Sequence, residues 1–80
     1  MKIKIQAFGI AKDILQSSEM EFELGNGQSV EQLKSALINK FPEFEKLRKF
    51  SIAVNQEYRG EDYIIRQGDE VVIIPPVSGG

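Results

Sequence analysis

The sequence contains no cysteine, no histidine and no tryptophan. Without cysteine there can be no disulfide, no thiolate metal site and no thiol nucleophile. Without histidine there is no imidazole base titrating near neutral pH. Most self-contained catalytic designs are excluded. Charge of one sign is also scarce: ten basic against twelve acidic residues leave a net charge of −2, which does not suit a sequence-independent binder of nucleic acid or of an anionic membrane. No apolar run approaches the ~20 residues of a membrane span. The charges in Met1-Lys2-Ile3-Lys4 interrupt the apolar run that a signal peptide needs. These features predict a cytoplasmic protein that binds neither nucleic acid nor membrane.

What is present suffices for one small domain held by packing alone, 80 residues with 41% hydrophobic content. Lys2, Lys4 and Gln6 alternate with Ile3, Ile5 and Ala7, the period of a strand with one face on a core. Phe8 falls by parity on the polar, outer side. Gly9 to Ser18 reads as a connection, in which Ile10, Ile14 and Leu15 suggest one turn of helix. Glu19, Glu21 and Glu23 alternate with Met20, Phe22 and Leu24 as a second strand, paired with the first in a hairpin.

Gly25-Asn26-Gly27 turns the chain, and Ser29 with Gln32 forms a capping box that opens a helix. Val30, Leu33, Leu37 and Phe41 make its apolar stripe, and Pro42 ends it. A Gly-x-Gly before a helix can cradle phosphate, but without a strand feeding a longer glycine motif a plain turn is the better reading. Phe44, Leu47 and Phe50 cover the bottom of the core. Lys46, Arg48 and Lys49, diluted by Glu43 and Glu45, read as a solvated face rather than a docking patch. Ser51 to Asn55 is a third strand, followed by a turn and Tyr58. Tyr63, Ile64 and Ile65 pack a loop on the core. The pairs Glu61-Asp62 and Asp69-Glu70 sit beside glycines, so they read as charged turns and no metal site is expected.

The last ten residues organise the rest. Val71 to Ile74 form an apolar strand that Pro75-Pro76 must stop, since proline cannot continue a ladder. Residues 1–74 are thus the domain and 75–80 a tail. An extended diproline exit lets the terminal carboxylate stand up to roughly 20 Å from the body, and Gly79 and Gly80 let the backbone thread a narrow cleft. The element order predicts an α+β fold of the β-grasp type: one main helix on one face of a mixed four- to five-stranded sheet, with the first and last strands parallel at its centre. One helix covers one face only. Half of the last strand, with Phe8, therefore forms an apolar patch on the open face beside the tail, as protein-binding sites do.

The run Gly68-Asp69-Glu70-Val71, a few apolar residues and then Pro75-Pro76-Val77-Ser78-Gly79-Gly80 resembles the small, ubiquitin-like sulfur-carrier subunits of molybdopterin synthase. The likeness extends to Phe8 after the first strand, the helix from Val30 to Pro42, and Ala53-Val54-Asn55. It departs at Lys12-Asp13, where the family often has Arg-Glu, and at Tyr58, where it often has a smaller aliphatic residue. The resemblance implies a protein that is not an enzyme on its own and binds no cofactor. An E1-like enzyme would use ATP to adenylate Gly80, and sulfide equivalents would displace AMP to leave a thiocarboxylate. Gly79 would serve as hinge. The tail, Pro75, Pro76, Val77 and Ser78 included, would then enter the synthase large subunit, in a heterotetramer, and give sulfur to cyclic pyranopterin monophosphate for the dithiolene of molybdopterin. Phe8, Tyr58 and Ile74 match the family's apolar contacts. Two alternatives remain: a related β-grasp sulfur carrier for thiamin or tRNA thiolation, or a ubiquitin-like modifier joined to lysines.

Overall fold

Alternation along Lys2–Ala7 becomes strand β1, with Ile3, Ile5 and Ala7 buried; the computed structural model describes residues 1–47 and 50–75. The connection that follows holds more helix than one turn. Helix α1 runs Gly9–Leu15 and buries Ala11 and Leu15, while Ile10 is left exposed. Residues four apart share a helix face, and the small Ala11 lets that face sit close to the sheet. Gln16, left-handed at φ 59°, ends the helix and returns its N–H to Lys12 O. Strand β2, Glu19–Glu23, then lies antiparallel to β1, with Phe22 opposite Ile3.

Helix α2 spans Val30–Lys40 and buries Val30, Leu33 and Leu37 against the sheet. The first N–H groups of a helix have no backbone partner inside it, and here each of the four finds another acceptor. Ser29 N donates to Gln32 Oε1 at 2.8 Å and Gln32 N to Ser29 Oγ at 3.3 Å. Val30 N reaches Tyr63 O at 2.9 Å and Glu31 N reaches Glu61 O at 3.0 Å. Loop 61–65 is thus a lid on the helix start, which leaves no free donor for a phosphate behind Gly25-Asn26-Gly27. Ser29→Ala should lower stability by about 1 kcal/mol; a urea titration that shows no shift of midpoint would contradict the cap's role.

A 3-10 helix at Pro42–Leu47 closes the base of the core with Phe44, fully buried. Phe44 meets Phe41 edge-on at 6.2 Å and Phe50 at 5.4 Å between ring centroids, arrangements favoured by the ring quadrupoles. Arg48 and Lys49 of the basic segment lie outside the described residues.

Strands β3, Ser51–Val54, and β4, Glu57–Tyr58, form a hairpin whose turn holds Asn55 and Gln56 at φ 53° and 70°. Asn is among the few side chains that tolerate this region. Asp69 ties this turn to the next: its carboxylate accepts from Asn55 Nδ2 at 3.1 Å and from Arg66 N at 2.9 Å, and Asn55 Oδ1 accepts from Glu70 N at 3.0 Å. Within loop 61–65 only part of the expected packing is found. Ile65 is buried and Tyr63 half-buried, but Ile64 points outward, because its backbone bridges to Ser29 and extended residues alternate sides.

The last strand, β5, runs Glu70–Ile74, and the sheet order is β2-β1-β5-β3-β4. Strand β5 pairs parallel with β1 and antiparallel with β3. The apolar sides of both central strands face α2, giving the β-grasp arrangement of ubiquitin-like proteins.

Candidate functional site

Because partners opposite each other in a sheet share a face, the register draws the face that α2 leaves open. One row across the strands reads Glu19, Gln6, Val72, Ala53, Tyr58. In the next row towards the tail, Ile74 stands opposite Ser51. Val71 and Ile73 point into the core, while Val72 and Ile74 are half-buried on the open side. The two large side chains that remain free there are aromatic, Phe8 at 58% and Tyr58 at 71% exposure. At the other end of the face the residues are charged: Lys4 lies between Glu21 and Glu70, and its Nζ is 4.0 Å from Glu19. Exposed pairs of this kind contribute little to stability. Their effect is to divide the face into an apolar half beside the tail root and a hydrophilic half away from it.

Pro75, half-buried, is the last described residue, and its ring lies over the start of α1. A β-carbon placed on Gly9 would stand 3.9 Å from Pro75 Cγ. Phe8, extended at φ −131° and ψ 160°, occupies the N-cap position of α1 without a capping side chain, and its extended backbone continues the alternation of β1 that puts it outside. Arg59 stacks 4.8 Å above the Tyr63 ring and pairs with Glu57 at 2.9 Å; these neighbours of Tyr58 alternate to the other side of the strand.

Of the site residues expected from the sequence, Phe8, Tyr58, Ile74 and Pro75 are thus on the open face or at its tail edge. Pro76, Val77, Ser78, Gly79 and Gly80 lie outside the described residues. Among the described residues no three metal-ligating side chains converge. Sequence reasoning passed over two contributors, Ala53 and Gly9. Ala53 is buried on the open side beneath its neighbours, and alternation does reveal its side. Gly9 could be seen as a turn residue, but its place beside Pro75, with room for a β-carbon between them, follows from the pairing of β1 with β5 and no local pattern encodes it.

The model of the ThiS family matches residues 5–80. A molybdopterin synthase sulfur carrier subunit from Chlamydomonas reinhardtii is 40% identical over 83 aligned residues, covering all of both chains. The chain belongs to the ThiS family, among the molybdopterin synthase sulfur carrier subunits. The carrier's fold is shared by a putative molybdopterin converting factor subunit 1 from Pyrococcus furiosus, with a TM-score of 0.85 at 27% identity over 96% of this chain and 99% of that one. It is also shared, at 23% identity and a TM-score of 0.67 over the whole of both chains, by a chain in a protein-protein complex of subunits 1 and 2 of the molybdopterin-converting factor from Helicobacter pylori. In the carrier, the central strand therefore delivers the tail root next to the only strongly apolar part of the described open face.

Proposed function

We propose that the carrier transports sulfur on its C-terminal Gly80 for formation of the molybdopterin dithiolene, with the synthase large subunit as its acceptor partner. The observation that supports this best is that Ile74 and Pro75 lie at the same end of the open face as the exposed pair Phe8 and Tyr58, in a chain with no cysteine or histidine to do chemistry of its own. The reacting group is then the terminal carboxylate, which is ionised near pH 7 and a poor electrophile until activated. An E1-like enzyme supplies the activation. A Gly80 carboxylate oxygen attacks the α-phosphorus of ATP and pyrophosphate leaves; a sulfide equivalent then attacks the acyl carbon, forming C–S as the C–O bond to AMP breaks. ATP is the activating enzyme's substrate, and the carrier itself holds no cofactor. Gly79 gives the backbone freedom to enter a narrow channel, with Pro75, Pro76, Val77 and Ser78 as the inserted stem. The large subunit provides the basic residues and the pterin pocket, in a heterotetramer of two carriers and two large subunits.

The direct test is incubation with the activating enzyme, ATP and a sulfide donor. Mass spectrometry should show one oxygen of the carrier exchanged for sulfur. The product, mixed with the large subunit and cyclic pyranopterin monophosphate, should then yield molybdopterin. Transfer to a thiazole synthase or a tRNA thiolase instead, or lysine-linked conjugates, would overturn this assignment in favour of another branch of sulfur carriers or of a protein modifier.

The patch has its own test. Phe8→Asp places a capping side chain at an N-cap that lacks one, so the variant should melt no lower than the parent. Against the large subunit it would bury an unpaired charge. Calorimetry should show a loss of about 2 kcal/mol or more, roughly thirtyfold in Kd. Undiminished affinity in a folded variant would move the interface elsewhere.

A further inference from the structure

Tyr58 is the most exposed large side chain of the apolar half, yet its own strand holds it weakly. Strand β4 has two residues, both exposed, and lies at the sheet edge with β3 as its one neighbour. Its ladder comprises the pairs Ala53–Tyr58 and Val54–Glu57 and a bond from Arg59 N to Ile52 O at 3.2 Å. The turn before it adds strain. Both central residues have positive φ, the twist that suits a two-residue hairpin, but such turns favour glycine at the second position, and here that position is Gln56 at φ 70°. A residue with a β-carbon enters the left-handed region at a cost, so left alone the turn gains by opening.

Asp69 supplies the restraint. Its Oδ1 accepts from Asn55 Nδ2 just before β4, and its Oδ2 accepts from the Tyr63 hydroxyl at 3.3 Å beyond β4, as well as from Arg66 N. Asn55 is bound a second time, to Glu70: its N–H donates to Glu70 O at 2.8 Å and its Oδ1 accepts from Glu70 N. One carboxylate at the start of β5 therefore closes the base of segment 56–62, which carries Tyr58. Closure at the base leaves that segment few ways to splay.

We propose that Asn55 and Asp69 are positioning residues for partner recognition: their link holds β4 against β3 and so presents the Tyr58 ring to the large subunit already in place. The proposal rests on the docking reading above and deepens it, since neither residue has to touch the partner. A side chain ordered before binding costs less to bind. Loss of the link should therefore weaken docking through Tyr58 and through no other contact.

The link can be reversed as well as cut. Asn55→Asp sets two carboxylates face to face, and Asp69→Asn, with its carbonyl kept on Arg66 N, sets two amides face to face. The double variant restores one donor and one acceptor: the new amide at 69 donates to the new carboxylate at 55, whose other oxygen still accepts from Glu70 N. Asp tolerates the left-handed region as Asn does. By calorimetry each single variant should bind the large subunit roughly tenfold more weakly, and the double variant should regain most of that affinity. In a Tyr58→Ala background the same substitutions should cost no further affinity, whereas a merely structural link would cost as much with Tyr58 as without it. In the free protein, nuclear Overhauser contacts between Ala53 and Tyr58 should be present in the parent and the double variant and weaker in the single ones.

Parent-like affinity in the folded single variants overturns the proposal, as does a loss that persists in the Tyr58→Ala background or a double variant no better than the singles. So does absence of the Ala53–Tyr58 contacts in the free parent, a result that stands even if the variants fail to fold. Failure of the sulfur-carrier reading looks different: the parent itself would not bind the large subunit, while the Ala53–Tyr58 contacts would still appear and still respond to the swap.

Discussion

Deletion of Gly79 and Gly80 is expected to abolish sulfur transfer while leaving the thermal melt unchanged. The truncated chain still ends in a carboxylate, but that carboxylate is about 7 Å short and belongs to Ser78, whose side chain restricts the backbone where glycine does not. A reaction that depends on delivering one atom into a partner's pocket does not survive an error of that size. Among the described residues the buried cluster draws its last member from Ile73, so the core is expected to survive the deletion. Mass spectrometry after activation, with a parallel melt, checks both halves. Thiocarboxylation and transfer by the truncated carrier would show that Gly80 is not the acceptor of sulfur, and a melt several degrees lower would show that the diglycine packs on the body.

The largest effect on stability is expected at the helix. Leu33 and Leu37 have no exposure at all, and each faces the two central strands from α2. Leu37→Ala removes methyl and methylene groups from a core with few layers to relax into the gap, so the loss should be about 2–5 kcal/mol. Small domains are commonly stable by only ~5–15 kcal/mol. Chemical denaturation should therefore show the midpoint falling steeply, with part of the population unfolded at physiological temperature. A loss below about 1 kcal/mol would mean that the helix is rotated from the face described.

How much of this was legible in the chain depends on how far apart the cooperating residues lie. Strand β1 could be read because Ile3, Ile5 and Ala7 alternate with polar residues, and α2 because Ser29 and Gln32 cap it and Leu33 and Leu37 repeat at helical spacing. Parity also put Phe8 on the outside. Helix α1 was read as shorter than it is, since its inward face is carried by Ala11, a residue whose hydrophobicity is too weak to announce itself beside Ile10. The lid that loop 61–65 places on α2 is made of backbone carbonyls, which every residue possesses and no side-chain pattern marks. The same holds for the Asn55–Asp69 link: each residue alone looks like an ordinary turn former, and only the sheet brings the two together. At the site, Ile74, Pro75 and the aromatic residues were visible one by one. Their assembly into a single half of one face needed the register.

The position of β5 in the sheet has a mechanical consequence. The strand that bears the tail is bonded on both sides, to β1 over Lys4–Ala7 and to β3 over Ser51–Val54. A pull on the tail, with the start of the chain held, acts along these two ladders and must shear many hydrogen bonds at once. An edge strand such as β4 would instead peel away one bond at a time. Under the proposed function, in which a partner draws the tail in and releases it in every cycle, the carrier is gripped where its body yields last.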